Sequence, residues 1–153
     1  MFLLKRLFAV AGLVIIAGCG SSSGGNQNAV VLGTWIQATI AQDGSSTLRC
    51  PANLVVGGAI VDSCGTNDTI VFNANGTFTQ TVIAGSSSGT YNASGNTLTL
   101  TYTIKNGVTQ NPALIRVAHF TVTNATLSVR PLTNGSNFET GETLTFGPAV
   151  TPL

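Results

Sequence analysis

The chain has 153 residues and only 7% of them are charged, six basic and five acidic. Ordinary soluble domains carry about 25% charged residues; here 22 Thr, 13 Asn, 12 Ser and 18 Gly supply most of the polarity. The composition offers no basic surface for nucleic acid, and one His with five carboxylates leaves little for metal or acid-base chemistry. We therefore expect a protein without cofactor, metal or enzymatic activity.

The first eighteen residues have the order of an export signal. Lys5 and Arg6 form a short basic region, and residues 7–17 form an apolar stretch that is too short to cross a bilayer as a helix. Residues 16–19, Ile-Ala-Gly-Cys, resemble the bacterial lipobox, in which small residues precede a cysteine that is acylated and becomes the mature N-terminus. Residues 1–18 are thus expected to be a lipoprotein signal peptide, with Cys19 as the lipid attachment site. The alternative is an ordinary signal peptide with an incidental Cys.

Residues 19–30 are expected to be a lipidated, flexible tether, because Gly and Ser dominate the segment behind the cysteine. More than one acyl chain on a residue is needed to hold a protein firmly on a membrane, and the lipobox resemblance implies several, palmitate among them, on Cys19. Residue 20 is Gly and not Asp, which by resemblance to the Gram-negative sorting pattern implies the outer membrane. The expected location is therefore the cell envelope, with the membrane bound through acylated Cys19.

Cys50 and Cys64 remain as a pair once Cys19 is assigned to the lipid. In an exported, oxidising setting they are expected to form a disulfide that closes a loop of about 15 residues and contributes about 3 kcal/mol. The competing interpretation is two free or metal-binding thiols. No His or further Cys lies near enough in the sequence to complete a zinc set.

From residue 32 onward the chain consists of short alternating runs separated by turn residues. Residues 97–104 place Leu, Leu, Tyr and Ile on one face and Thr on the other, which is typical of a half-buried strand. Asn75-Gly76, between Phe72 and Phe78, is a strong β-hairpin signal. Strands are predicted at 32–41, around Ile70, around Phe78, at 89–93, around Leu98, and at 114–123, 126–130 and 142–146. Eight such strands with short connections predict an all-β, antiparallel up-and-down meander barrel over residues 31–153.

Residues 42–68 interrupt this rhythm with 27 residues that hold both Cys50 and Cys64 and an apolar stretch at 54–61. A long loop inside a compact domain is either functional or contains an unrecognised element. We expect a disulfide-stapled insertion that packs its hydrophobic residues over one end of the barrel, with a lid at the barrel mouth as the alternative. Gly57-Gly58 fits either a tight hairpin turn or a hinge.

Four short motifs carry a family resemblance. Residues 32–35 (Leu-Gly-Thr-Trp), 72–78 (Phe-Asn-Ala-Asn-Gly-Thr-Phe), 89–91 (Gly-Thr-Tyr) and 95–98 (Gly-Asn-Thr-Leu) resemble, in order and spacing, the lipocalin-like domains of bacterial lipoproteins. The resemblance covers most of residues 31–130. It implies that the indole of Trp35 lies across the closed end of the barrel.

The alternation also predicts which side chains face the barrel interior. An eight-stranded barrel is either filled by side chains or holds one small ligand, and both outcomes remain open here. The candidate cavity-lining residues are Phe72, Phe78, Gln80, Tyr91, Tyr102, Phe120 and Phe146. Gln80 is either a polar ligand contact or a strand-end residue in water.

The few chemically active side chains do not form a recognisable catalytic set. His119 alternates with Phe120 and is expected to point outward, and Glu139 and Glu142 are expected to keep a sheet edge soluble rather than to act as paired acids. The leading hypothesis is a membrane-anchored lipoprotein whose non-enzymatic domain holds a small apolar ligand. The alternative is a structural or interaction protein of the cell envelope, with a filled barrel and a Thr/Asn-rich surface that meets a protein partner or a glycan.

Overall fold

The computed structural model describes residues 28–123, 125–133 and 140–149, and these residues are almost entirely β-sheet. Within them one helical turn, α1 (Asn28–Val31), precedes eleven strands. The strands are β1 (Gly33–Gln42), β2 (Leu48–Arg49), β3 (Ala52–Val56), β4 (Ala59–Cys64), β5 (Thr69–Phe72), β6 (Thr77–Val82), β7 (Gly85–Ser94), β8 (Thr97–Lys105), β9 (Val108–Thr123), β10 (Thr126–Pro131) and β11 (Glu142–Pro148).

Eight of these strands form a closed antiparallel barrel. Strands β5 to β11 pair in sequence order, and β1 pairs with β5 on one side and with β11 on the other. The β1–β11 ladder runs from Trp35 opposite Pro148 to Gln42 opposite Glu142. Closure along this seam leaves no free sheet edge there, and it confirms the predicted all-β meander barrel of about eight strands.

The barrel has two different ends. At the closed end lie Trp35 and the start of β1, and at the open end lie Gln42, the start of β11 and the β6–β7 and β8–β9 turns. The wall is least complete between β1 and β5, because β5 has only four residues and pairs with Gly33–Ile36 alone. Further along β1, towards the open end, Thr39 and Ile40 pair with β2.

The predicted turn at Asn75-Gly76 joins β5 to β6. Gly76 has a φ of +80°, and the side chain of Asn75 accepts a hydrogen bond from the backbone N–H of Thr77. Glycine adopts this backbone conformation without the steric penalty that other residues incur. Phe72 and Phe78 are therefore placed directly opposite each other in the β5–β6 ladder.

The alternation predicted for β8 holds over most of the strand. Leu98 and Tyr102 are buried and Leu100 packs against the same cluster, but Ile104 is 39% exposed and does not join them. A β-bulge between Tyr102 and Ile104 shifts the pairing with β9 and removes Ile104 from the inward face. Strand β9 also begins at Val108, earlier than the predicted 114, so β8 and β9 form one long hairpin.

The main hydrophobic core fills the closed half of the barrel. Leu127 and Phe78 are fully buried, and the rings of Phe72 and Tyr91 meet edge to face with their centroids 4.8 Å apart. Edge-to-face packing of this kind is favoured by the ring quadrupoles. The buried members of the cluster are Val31, Trp35, Ile70, Phe72, Phe78, Tyr91, Ala93, Leu98, Tyr102, Phe120, Leu127 and Phe146.

Helix α1 seals the closed end together with Trp35. The indole N–H of Trp35 donates a 2.7 Å hydrogen bond to the carbonyl oxygen of Val31, and both residues are buried. The predicted tether was expected to continue to residue 30, but residues 28–30 already belong to α1. This difference arises because Val31 packs into the core and draws the preceding residues into a helical turn.

Residues 42–68 form a small β-structured insertion rather than a long loop. Strand β2 pairs with β1, and β3 and β4 form a separate hairpin whose turn is Gly57-Gly58, with φ of +59° and +85°. Positive φ at both turn residues is typical of a two-residue hairpin turn, so Gly57-Gly58 forms the tight hairpin turn that was one of its two predicted roles. A second core of Ile40, Leu54 and Cys64 joins the insertion to the barrel at its open end.

Candidate functional site

The open end of the barrel leads into a cavity of about 440 Å³. Its deeper wall is apolar and includes Ile70, Phe72, Leu98, Leu127 and Phe146. Small-molecule sites typically measure 300–1,000 Å³ and combine apolar walls with a few polar groups. The barrel interior is therefore packed in its closed half and hollow in its open half.

Six of the seven predicted inward residues belong to the main core, and four of the seven line the cavity. Phe72, Tyr102 and Phe146 do both, Gln80 only lines the cavity, and Phe78, Tyr91 and Phe120 belong only to the core. The ring of Phe78 meets the ring of Tyr102 edge to face at a centroid distance of 5.0 Å, and of these two only Tyr102 lines the cavity. The alternation of side chains along each strand predicts which of them point inward. It does not predict how far each side chain lies from the closed end of the barrel.

Gln80 and Tyr102 form the polar contact in the cavity wall. The Tyr102 hydroxyl donates a 3.1 Å hydrogen bond to Oε1 of Gln80. Burial raises the pKa of Tyr102 to about 12, with nearby Arg116 acting in the opposite direction. Gln80 is thus held by a buried partner, and it lines the cavity.

Charged residues from four strands surround the cavity mouth. Asp62 lies on β4, Lys105 on β8, Arg116 on β9 and Glu142 on β11, and all four line the cavity. The Lys105 ammonium lies 4.7 Å from the centroid of the Tyr102 ring, which is a favourable cation–π distance. Burial, followed by the positive charge of Arg116, lowers the pKa of Lys105, while Asp62 opposes this shift.

Glu142 and Asp62 form an unusual pair of carboxyl groups at this mouth. Burial raises the pKa of Glu142 to about 8, and the hydrogen bond and the charge of Asp62 act in the same direction. When both groups are ionised neither can donate, and Oε1 of Glu142 is buried without a hydrogen-bond partner. A proton on Glu142 supplies the missing donor.

Glu142 was predicted to keep a sheet edge soluble, but it lies in the cavity wall instead. The sequence did contain the information that Glu142 faces inward. Glu142, Leu144 and Phe146 lie two residues apart on one strand and so share a face, and Phe146 was already predicted to face inward. Arg116 and Phe120 lie four residues apart on β9 and therefore also share a face, and Phe120 was predicted to face inward. Glu139, the other half of the predicted acidic edge, lies outside the described residues.

The insertion contributes directly to the mouth. Cys50 and Cys64 form the predicted disulfide, which joins the segment after β2 to the end of β4. This bridge holds the part of β4 that contains Asp62 and Ser63, and both of these residues line the cavity. Leu54 and Cys64 of the insertion pack against the barrel end, and Asp62 and Ser63 form part of the entrance. The prediction that the apolar stretch at 54–61 packs over the barrel end is wrong for residues 55–61, which are exposed.

The remaining sequence predictions add no residue to this site within the part of the chain that the structure describes. His119 is half-buried between the buried Ala118 and Phe120 and does not line the cavity. Cys19 lies outside the described residues. Among the residues that the structure describes, no group of three or more His, Cys, Asp or Glu is arranged to hold a metal ion. Over the same residues, no helix has the length and apolar character needed to span a bilayer.

Comparison with known proteins identifies the family. A search of curated proteins and a search of solved structures each returned no match to this chain. The family model of the lipocalin-like domain matches residues 31–146, which extend from the α1 seal to the last barrel strand. Together with the closed eight-stranded barrel and its cavity, this match shows that the chain belongs to the lipocalin-like domain family.

Proposed function

We propose that the barrel is a non-enzymatic binding domain that holds one small, predominantly apolar ligand in its interior cavity. The observation that carries this proposal is the cavity of about 440 Å³, whose deeper wall consists of apolar side chains. Burial of apolar ligand surface against this wall contributes roughly 25 cal/mol per Å². The charged mouth and the Gln80–Tyr102 pair orient the polar end of the ligand.

Filling the cavity tests the proposal. We expect the full chain to bind a fluorescent fatty acid that unlabelled apolar ligands displace, and native mass spectrometry to detect a co-purified small molecule. Val129→Trp places an indole in the cavity, and we expect it to abolish probe binding. Thr121→Trp on the exposed face of β9 is the matched control and should bind normally.

Leu100→Phe provides a smaller filling substitution in case Val129→Trp disturbs folding, which circular dichroism would reveal. A folded Val129→Trp or Leu100→Phe variant that binds the probe like the unsubstituted chain contradicts the proposal. Absence of both displacement and co-purified ligand in the unsubstituted chain contradicts it as well.

We further propose that the domain is attached to the membrane of the cell envelope through acylated Cys19, the outer membrane if the organism is Gram-negative. Support comes from the order of basic, apolar and small residues before Cys19 in the sequence. Metabolic labelling with an alkyne-tagged palmitate tests this attachment. We expect label on the unsubstituted chain and none on Cys19→Ala, while equal labelling of both contradicts the assignment.

A further inference from the structure

The tip of the β3–β4 hairpin, residues 55–61, is both apolar and exposed. Its sequence is Val-Val-Gly-Gly-Ala-Ile-Val, without a polar or charged side chain, and all seven residues are exposed. Val55 and Val56 expose 54% and 45% of their surface, and Ile60 and Val61 expose 64% and 54%. Consecutive residues of a strand point to opposite faces, so this apolar tip projects from the molecule with both faces uncovered.

The apolar tip adjoins the cavity entrance. Strand β4 continues from the tip into Asp62 and Ser63, which line the cavity. Ile83, in the β6–β7 turn, also lines the cavity and is 80% exposed, and Val108, at the β8–β9 turn, is 62% exposed. Aliphatic side chains from three hairpins are therefore exposed at the same end of the barrel as the entrance.

We propose that the apolar tip and Ile83 insert into the surface of a lipid bilayer, and that the cavity takes its ligand from that bilayer. The choice of ligand source rests on the proposed binding function, whereas the docking itself does not. Pairing of Val55 with Ile60 and of Val56 with Ala59 satisfies the inner backbone groups of the tip. The outer edges of this two-stranded hairpin still need water or lipid headgroups as partners, so the tip fits the interface of a bilayer and not its hydrocarbon core. The tip has two strand residues on the β3 side and three on the β4 side, which project roughly 7–10 Å, comparable to the roughly 5–10 Å depth of interfacial helices.

The chain that precedes the described residues favours a bilayer as the occupant. The predicted lipid attachment site, Cys19, lies nine residues before α1, and an extended chain of that length reaches about 30 Å. Helix α1 is at the closed end, and a barrel wall of about eight tilted residues per strand is roughly 20 Å high. A protein anchored at Cys19 can therefore place its open end on the same membrane.

The orientation of the full chain on vesicles of phosphatidylethanolamine and phosphatidylglycerol tests the docking. An environment-sensitive fluorophore is attached at Ile60→Cys, with Asn92→Cys, exposed in the closed half of β7, as the matched control. The unsubstituted chain, labelled in parallel, reveals any reaction at Cys19. We expect spin-labelled lipids to quench the Ile60→Cys label strongly and to leave the Asn92→Cys label unquenched. Equal quenching at both positions, or none at Ile60→Cys, overturns the proposal.

Ligand transfer separates docking from binding. The triple variant Val55→Thr, Ile60→Thr, Val61→Thr keeps β-branched side chains but makes the tip polar, and Ile115→Thr, 57% exposed on β9, is the control. We expect unchanged affinity for a dissolved fluorescent fatty acid and a transfer rate from vesicles that falls at least about tenfold in the triple variant only.

Unchanged transfer in the triple variant overturns the docking proposal. The proposal is also overturned if the unsubstituted chain forms a dimer that the triple variant does not form, and lipids do not quench the Ile60→Cys label. In that case the tip binds a second copy of the chain. Failure of the unsubstituted chain to bind the dissolved probe contradicts the proposed binding function and leaves the quenching result to decide the docking.

Discussion

Glu142 and Asp62 face each other across the mouth of the barrel, one from the last barrel strand and the other from the hairpin of the insertion. Asp62 makes ionisation of Glu142 less favourable, and Lys105 and Arg116 line the same cavity. The hydrogen bond between the two carboxyl groups joins the insertion to the barrel wall, and it requires one proton on the pair. Its protonation state therefore affects both the stability of the fold and the charge that an entering ligand meets.

We expect Glu142 to make the folded protein less stable as the pH rises. Its pKa is raised from 4.5 to about 8, so the folded state retains a proton that the unfolded state releases. This contribution to stability is fully present below about pH 4.5 and is lost as the pH rises through about 8. With allowance for solvent screening, Glu142→Gln should raise the free energy of unfolding at pH 9 by about 1–2 kcal/mol. Urea denaturation at pH 5 and pH 9 measures this effect.

The control for this experiment is Asp43→Asn. Asp43 lies at the same end of the barrel, and it forms a surface ion pair with Arg130 at 2.8 Å. Such exposed pairs are worth at most about 1 kcal/mol. Asp43→Asn should therefore keep the pH dependence of the unsubstituted protein, and a Glu142→Gln variant that also keeps it would contradict the assignment.

The Tyr102 hydroxyl should ionise last in an alkaline titration. The chain has two tyrosines; burial raises the pKa of both, that of Tyr102 to about 12. In an ultraviolet absorbance titration, Tyr102→Phe should remove the step at highest pH, whereas Tyr91→Phe should retain it. Tyr102→Phe also leaves Oε1 of Gln80 without its donor, at an expected cost of about 1–2 kcal/mol. Loss of the highest step in Tyr91→Phe instead would reverse the assignment.

Removal of the Cys50–Cys64 bridge should weaken the insertion more than the barrel. The disulfide closes a loop with a sequence separation of 14, for which loop entropy predicts a contribution of about 3 kcal/mol. We expect the Cys50→Ala, Cys64→Ala variant to lose about that much stability while it retains the far-ultraviolet spectrum of the barrel. Hydrogen exchange should rise first in β3 and β4. Uniform exchange across the barrel strands would show that the bridge holds more than the insertion.

Gly89 should tolerate no side chain. A Cβ atom at this position would lie 1.9 Å from the carbonyl oxygen and 2.8 Å from the carbonyl carbon of Thr101 on the neighbouring strand. Because both atoms belong to the backbone, we expect Gly89→Ala to cost about 2–4 kcal/mol in thermal or urea denaturation. Gly147→Ala is the matched control, since nothing lies within 4 Å of its added Cβ. Equal stability of the two variants would contradict the close approach of β7 and β8.

The barrel was predictable because its strands alternate and its turns contain Asn and Gly. The alternation of residues 97–103 predicts a strand, and the Asn75-Gly76 pair predicts a hairpin turn. Both features depend only on neighbouring residues and can therefore be read from the sequence. The β3–β4 hairpin was harder to recognise, since residues 54–61 are continuously apolar and lack the alternation of a half-buried strand. Its apolar side chains remain exposed, which no buried-core argument predicts.

The cavity and its charged mouth depend on distances that a pattern does not contain. Strand parity gives the direction of Glu142 and Arg116, but only the closed barrel shows that β4 brings Asp62 to the same entrance. Whether the interior is hollow depends on how far each side chain lies from the closed end. That depth follows from the register of all eight strands together.

The seam between β1 and β11 also determines when the protein can finish folding. Strand β1 cannot complete its pairing until β11 is present, because Trp35 pairs with Pro148, which is more than 100 residues later in the chain. Contacts of such long sequence range slow folding, since a large loop has to be closed before they form. During synthesis, the barrel cannot close until β11 has been made. Any truncation that removes β11 leaves β1 and β10 with unpaired edges, open to association with other chains.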